Sequence, residues 1–425
     1  MNASRRRTVL RLGALGLLIS AWSLLLFQLN EVPPGFQHDQ MFSARDAMQV
    51  VNGDFPIYFP SNFGRGPLFM YSAAGVFLLT GGHYVWSLHF TAVIWAILGL
   101  ATTVSLARRF LPYAAALFAA ALMATSFWFL LAGRLGVESI ALLPLATAMF
   151  YFLDRGLSRH RLLDFAAAGI CGGIANYTYL ASRTLYLAAP LLAGWVIVSA
   201  LWRRRRGQPR LPSTKIDLLG LLLTLLLMLA ISSGLLIYLA RHPGTADGRL
   251  GQLSGPLNAV LHGDLKPALT NAWDTVRSIL WSGSVALPYF YGVLGRPVFQ
   301  PILAACLPIG LGLTIFRGRS RHDALLLIVL FLGLAPNLVT GADALYMRAI
   351  YVMPVLFVLA TKGLWAVLER RSSNAKPHSR AVGNRYNHCK ADLRRLNPVA
   401  VGRSRSIPVG LRKDCSDLGR PWRIT

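Results

Sequence analysis

The stretch Pro67-Leu68-Phe69-Met70-Tyr71-Ser72-Ala73-Ala74-Gly75-Val76-Phe77-Leu78-Leu79-Thr80 decides how the chain is threaded. It is apolar almost throughout, but its 14 residues fall short of the roughly 17 to 25 that a helix needs to cross about 30 Å of hydrocarbon. If it crossed, every later basic cluster would change sides. Left on the surface, the clusters at Arg5 to Arg7, Arg108-Arg109, Arg155/Arg159/Arg161, Arg203 to Arg206, Arg317/Arg319/Arg321 and Arg370-Arg371 all fall on one side, as the positive-inside rule requires. The stretch therefore reads as interfacial or re-entrant, inside a first outer loop running from Asn30 to His83.

Working outward, the apolar runs predict ten spans: Val9 to Leu29, Tyr84 to Ala107, Pro112 to Ala132, Val137 to Leu153, Leu162 to Leu180, Thr184 to Trp202, Ile216 to Ala240, Gln300 to Phe316, Ala324 to Thr340 and Ile350 to Leu368. Both termini are then cytoplasmic. The first run is flanked by Arg5, Arg6 and Arg7 like a signal peptide, but its length and its lack of a small-residue cleavage site predict a retained anchor. With 54% hydrophobic and 14% charged residues, the chain is excluded from the soluble class. No alternating strand pattern appears, so the fold class is an all-α integral membrane protein with juxtamembrane helices in its first outer loop.

The formal net charge of +26 is mostly a matter of placement. Topology accounts for the clusters above, and from Arg370 onward 14 Lys and Arg face three Asp. Residues 1–370 read as the membrane domain and 371–425 as a basic tail, disordered or lying on the anionic inner leaflet. The change of composition there is abrupt enough to suggest truncation or a shifted reading frame. No fold supports nucleic-acid binding. Cys171 and Cys306 lie in spans and Cys389 and Cys415 in the tail, so no disulfide framework is indicated.

In this register Asp39, Arg65, Arg134, Glu138, Arg183, Asp343 and Arg348 all sit at outer loops or outer helix ends. Ionisable groups so near the hydrocarbon tend to mark substrate paths, although snorkelling or local pairing accounts for any one of them. Arg134 and Glu138, four apart, could simply pair on one helix face. Arg183 closes the polar-aromatic run Asn176-Tyr177-Thr178-Tyr179, which could equally be an interfacial belt, and Arg348 could present a fork to a phosphate or merely snorkel. Asp39 precedes a helical pattern with apolar residues at Met41, Ala44, Ala47/Met48 and Val51, which predicts a short helix on the membrane surface. Asp39 could be its N-cap, and could also take the proton of an attacking hydroxyl or amine. The long outer loop from residue 241 to 299 carries Trp273, Trp281, Tyr289 and Tyr291, whose faces suit sugar rings or a membrane interface.

The order His38-Asp39-Gln40, Gly53-Asp54-Phe55-Pro56-Ile57-Tyr58-Phe59, then Gly64-Arg65-Gly66-Pro67-Leu68 resembles the first periplasmic loop of GT-C glycosyltransferases. Within that class it is similar to the family-39 branch of protein O-mannosyltransferases and aminoarabinose transferases. The resemblance runs from about Arg11 to Glu369. It implies a sugar moved from a polyprenyl-phosphate donor to a lipid, glycan or protein acceptor on the outer face of the cell membrane. It further implies Asp39 as the base, Arg65 at the donor phosphate, and Arg134, Arg183 and Arg348 as gathered basic positions, with His38 and Gln40 beside them. Two positions depart from the pattern: Gln40 replaces the second acid of an Asp-Glu pair, and Gly66 stands where relatives have Glu or Pro. No Asp-x-Asp occurs in the loop, so no metal or cofactor is expected. A transporter or flippase would show paired internal repeats with broken helices. A polysaccharide ligase would concentrate its basic residues in one late outer loop. Neither pattern is present.

Overall fold

The computed structural model describes residues 3–82, 84–207, 213–245, 255–283, 295–318, 320–340 and 345–374. Regular structure among the described residues is helical, apart from one isolated antiparallel bridge between Phe59 and Arg65. The helices are α1 (Ala3–Leu26), α2 (His38–Val51), α3 (Leu68–Thr80), α4 (Tyr84–Ala107), α5 (Tyr113–Ala124), α6 (Phe127–Ala132), α7 (Ser139–Arg159) and α8 (Leu162–Ala175). A 3-10 segment, Leu180–Leu187, leads into α9 (Ala188–Arg205) and α10 (Ser213–Arg241). Then follow α11 (Gly255–Leu261), α12 (Lys266–Leu280), α13 (Pro301–Gly312), α14 (Arg321–Thr340), α15 (Leu345–Arg348) and α16 (Met353–Asn374). Two compact units are distinguished, 1–364 and 365–425. In the second, the Trp365 indole N–H donates to Glu369 Oε1 at 2.8 Å. Beyond Asn374 the tail lies outside the described residues, as do Asp343, Tyr289 and Tyr291.

Among the described residues, seven helical segments are long and apolar enough to cross a membrane, and each coincides with one of the ten expected spans. Of the other three expected spans, two are interrupted or cut short, and polar side chains explain both. Pro112 to Ala132 breaks at Thr125-Ser126, where the Ser126 hydroxyl accepts a hydrogen bond from the Phe129 N–H and starts a new helix. Leu162 to Leu180 stops at Ala175, where Asn176 Nδ2 donates to the Gly172 carbonyl and Thr178 Oγ1 to the Ala175 carbonyl. Gln300 to Phe316 is α13 running into a π-helical turn, Leu313–Arg317. The decisive stretch is α3, whose 13 residues span about 20 Å. It buries Phe69, Met70, Ala73, Ala74 and Phe77 against its neighbours α2 and α4.

The bundle is held by close approach of small residues. On α8, Gly169 and Gly173 are four apart, and a Cβ added at either would come within 2.7 Å of α10, meeting the Thr224 carbonyl or the Ile231 side chain. With no hydrophobic force between helices in lipid, such backbone contact supplies the packing energy.

Helix α2 corrects one expectation. The helix forms where the pattern predicted, but the face it buries is the polar one: Gln40, Ser43 and Asp46, with Ala47 and Val50. Met41, on the apolar stripe, is 53% exposed. The partners that turn α2 this way make up the site.

Candidate active site

Arg65 is the hub. It follows a loop closed by reciprocal backbone bonds, Phe59 N–H to the Arg65 carbonyl at 3.1 Å and Arg65 N–H to the Phe59 carbonyl at 2.8 Å. The chain turns back through Asn62, Phe63 and Gly64, all at positive φ. At Gly64, with φ +95°, any side chain would also collide with the Tyr58 hydroxyl at 1.9 Å. The next glycine does different work. A Cβ on Gly66 would lie 2.4 Å from the Tyr177 carbonyl, the same oxygen that accepts the Leu68 N–H at 3.0 Å. The departure from the family pattern at Gly66 thus lets the loop touch the turn after α8.

The Arg65 side chain is fully buried. Its Nη2 donates to Asp46 Oδ2 at 2.7 Å, and its Nη1 donates to Ser43 Oγ at 2.8 Å, to the Asp39 carbonyl at 3.3 Å and to Glu138 Oε2 at 3.4 Å. Ser61 Oγ adds a bond to Asp46 Oδ2 at 2.6 Å. One guanidinium therefore ties α2, the 59–65 loop and the start of α7 together. Glu138 pairs with Arg65 rather than with Arg134, contrary to the i,i+4 alternative. Asp46 escaped the sequence reading because it sits on what looked like the solvated side of an amphipathic helix.

Asp39 lies in the first turn of α2 but does not cap it; the cap position is Gln37. Its carboxylate accepts from Asn62 Nδ2 at 2.7 Å and is 3.8 Å from the His38 ring, with 15% of the side chain exposed. His38 is exposed and packs edge-on against Phe42. Gln40 is buried: its Oε1 accepts the Gln37 N–H at 2.9 Å, while its Nε2 donates to the Leu135 carbonyl and lies 3.3 Å from His89 Nε2. A carboxylate at this position could not donate to that carbonyl, which gives the second departure a local structural reason.

The remaining arginines separate. Arg134 donates to four carbonyls at the end of α1 and beyond: Leu24, Phe27, Gln28 and Val32, at 2.6 to 3.3 Å. It caps that helix, and burial lowers its pKa from the ordinary guanidinium value. Arg348 Nη1 donates to the carbonyl and hydroxyl of Thr340 at the end of α14, each at 2.8 Å. Arg183 is different. Partly buried in the 3-10 segment, it makes no hydrogen bond or ion pair among the described residues. It lines a cavity of about 20 Å³ together with Arg65, Glu138, Asn176 and Thr178, a cavity that Arg134 and Arg348 do not reach. Arg183 therefore borders the same cavity as the Arg65–Glu138 pair, while Asp39, outside that lining, meets Arg65 through its backbone carbonyl.

Residues 64–238, which contain Arg65, Arg134, Glu138 and Arg183, match the dolichyl-phosphate-mannose-protein mannosyltransferase family. Among solved structures, the chain resembles the oligosaccharyltransferase AglB of Archaeoglobus fulgidus in complex with an inhibitory peptide and a dolichol-phosphate. Identity is 15%, the TM-score 0.53, and the match covers 95% of this chain and 54% of that one. The apo Archaeoglobus fulgidus oligosaccharyltransferase matches at 17% identity and TM-score 0.51, over 85% and 52% of the two chains. ArnT of Cupriavidus metallidurans, bound to undecaprenyl phosphate, matches at 16% identity and TM-score 0.42, over 85% and 77%. The chain thus spans about half the length of the archaeal enzymes. A search of curated proteins returned no match. The chain is a multi-pass membrane protein of the GT-C fold, helical in its described residues, and its segment 64–238 matches the dolichyl-phosphate-mannose-protein mannosyltransferase family.

Proposed function

We propose that the protein is a membrane glycosyltransferase that moves a sugar from a polyprenyl-phosphate donor to a hydroxyl or amine acceptor at the outer face of the membrane. The observation that carries this reading is Arg183: a partly buried guanidinium with no hydrogen-bonding partner among the described residues, facing the same cavity as the Arg65 cluster. A guanidinium so placed is free to take the donor phosphate bidentately. The family match over 64–238 and the dolichol-phosphate in the AglB complex support a donor of that class. At about 20 Å³ the cavity holds no more than a water, so donor binding requires the 59–65 loop to shift and open it.

In this mechanism Asp39 takes the acceptor's proton as the acceptor attacks the anomeric carbon. The bond from that carbon to the phosphate oxygen breaks, and the leaving phosphate keeps the electron pair, stabilised by Arg183. One displacement inverts the anomeric configuration. Arg65 acts as a positioning residue: held by Asp46 and Glu138, it fixes the backbone of Asp39 through the bond to its carbonyl.

The test is sugar transfer in lipid-reconstituted protein with a panel of labelled polyprenyl-phosphate sugars and membrane extract as acceptor. Asp39→Asn should abolish transfer and retain donor binding. Arg183→Gln should weaken donor binding. Movement of an intact lipid-linked sugar across the bilayer without bond cleavage would instead make the protein a flippase.

A further inference from the structure

A second cavity, of about 1180 Å³, opens at the other end of the helices, between the end of α7, the second half of α9 and the starts of α10 and α14. Nothing in the proposed transfer reaction uses it. Arg183 and Arg203 stand at opposite ends of one apolar helical run, Leu180–Arg205, and the 20 residue steps from one to the other span roughly 30 Å. The two sites therefore face opposite sides of a bilayer.

The lining divides by chemistry. At its rim are Arg203, Arg204, Lys215 and Arg321, against one lining carboxylate, Asp217. Asp217 is engaged by the His160 ring, Nδ1 to Oδ1 at 2.7 Å. Arg321 is fixed by donation to the Leu157 carbonyl at 2.9 Å. The side chains of Arg203, Arg204 and Lys215 are exposed and make no hydrogen bond or ion pair among the described residues. Along α9 the same cavity is apolar and open: Val198 is 64% exposed, Leu201 54% and Trp202 46%. A ligand matching both parts carries an anionic phosphate beside hydrocarbon. A free phosphate would satisfy the rim and leave the Val198-Leu201-Trp202 face in water. A basic recess between spanning helices on the positively flanked side suits the headgroup of an anionic phospholipid.

We propose that this cavity is a binding site for an anionic phospholipid of the inner leaflet, its phosphate held by Arg203, Arg204 and Lys215 and its acyl chains lying along α9. The site anchors the ends of α9 and α10 in register with the membrane surface.

The experiment uses the full chain in detergent, with phosphatidylglycerol titrated in mixed micelles and binding read by native mass spectrometry and by the shift in Tm. Phosphatidylglycerol should bind and raise Tm, while phosphatidylcholine and inorganic phosphate should leave it unchanged. Each cation near an anionic lipid contributes about fivefold in affinity, so R203Q/R204Q/K215Q should bind roughly a hundredfold more weakly and R203Q alone about fivefold. A control removing equal charge elsewhere on the surface, R45Q/R241Q/K266Q, should bind like the unaltered chain. Equal stabilisation by phosphatidylcholine or inorganic phosphate would overturn the proposal, as would equal weakening in the control or undiminished binding in both rim variants. All these residues are exposed, so the variants retain the fold, and Tm in phosphatidylcholine reports that directly.

Discussion

At the residue scale the site is a contrast between one arginine whose two terminal nitrogens are both paired and one that has no hydrogen-bonding partner among the described residues. Arg65 has two carboxylates, a hydroxyl and a carbonyl within hydrogen-bond reach, whereas Arg183 borders the same cavity with no such partner among the described residues. Breaking a buried pair from one side strands the other charge, so Asp46→Ala should lower stability by about 3 to 5 kcal/mol. Thermal unfolding in detergent measures this, and Asp39→Asn, at a part-exposed position, should leave Tm nearly unchanged. The reverse holds for activity: loss of a general base removes about 10² to 10⁴ in kcat, so Asp39→Asn should lose transfer with the donor still bound. Arg183→Gln should weaken donor binding by roughly 10- to 100-fold, from the loss of a charge-assisted hydrogen bond worth about 1.5 to 3 kcal/mol. At Gln40 the family's acid becomes a testable liability. Gln40→Glu sets a carboxylate against the Leu135 carbonyl and should cost about 1 to 3 kcal/mol, read in the same thermal assay.

At the scale of elements, two helices outside the long apolar runs bury their polar sides. In α2 the buried positions include Gln40, Ser43 and Asp46; in α12 they are Thr275, Ser278 and Ile279, while Leu269, Trp273 and Val276 are exposed. A soluble protein would reverse this, but here the outer environment is lipid and the protein interior supplies the partners for polar groups. Helix α12 should therefore lie in the interface with Trp273 among the headgroups, and Trp273→Ser should reduce quenching of tryptophan fluorescence by brominated lipids. The contact of the 64–68 segment with the turn after α8 depends on Gly66. Gly66→Ala would set a Cβ 2.4 Å from the Tyr177 carbonyl oxygen and should destabilise by about 1 to 3 kcal/mol, with increased protease cleavage in the first loop as the readout.

At the scale of the whole chain, the parity of crossings decides which residues share a side. If α3 does not cross, Gly35 and Lys266 lie outside and Arg206 inside. Single cysteines at these positions, in a background lacking native cysteines, should react with an impermeant maleimide in intact cells at 35 and 266 but not at 206. Labelling at Gly35 and Arg206 but not at Lys266 would mean that α3 crosses.

Apolar run lengths and the distribution of arginine were enough to establish a multi-span helical protein, because the membrane penalises every unpaired backbone group and every misplaced charge in a way that can be read along one dimension. The ordered motifs of the first loop were enough for the fold family. Run length could not show where Ser126 and Asn176 would end helices, since a single side chain bonding to the backbone outweighs the hydropathy around it. Nor could sequence tell Arg65 from Arg134, Arg183 and Arg348, four arginines with equivalent standing as letters. Their separation arises only in the tertiary structure, which delivers helix-end carbonyls to Arg134 and Arg348, Asp46 and Glu138 to Arg65, and no hydrogen-bonding partner among the described residues to Arg183. Which groups meet is set by long-range packing, and a guanidinium's chemistry is decided by what is left for it to bind.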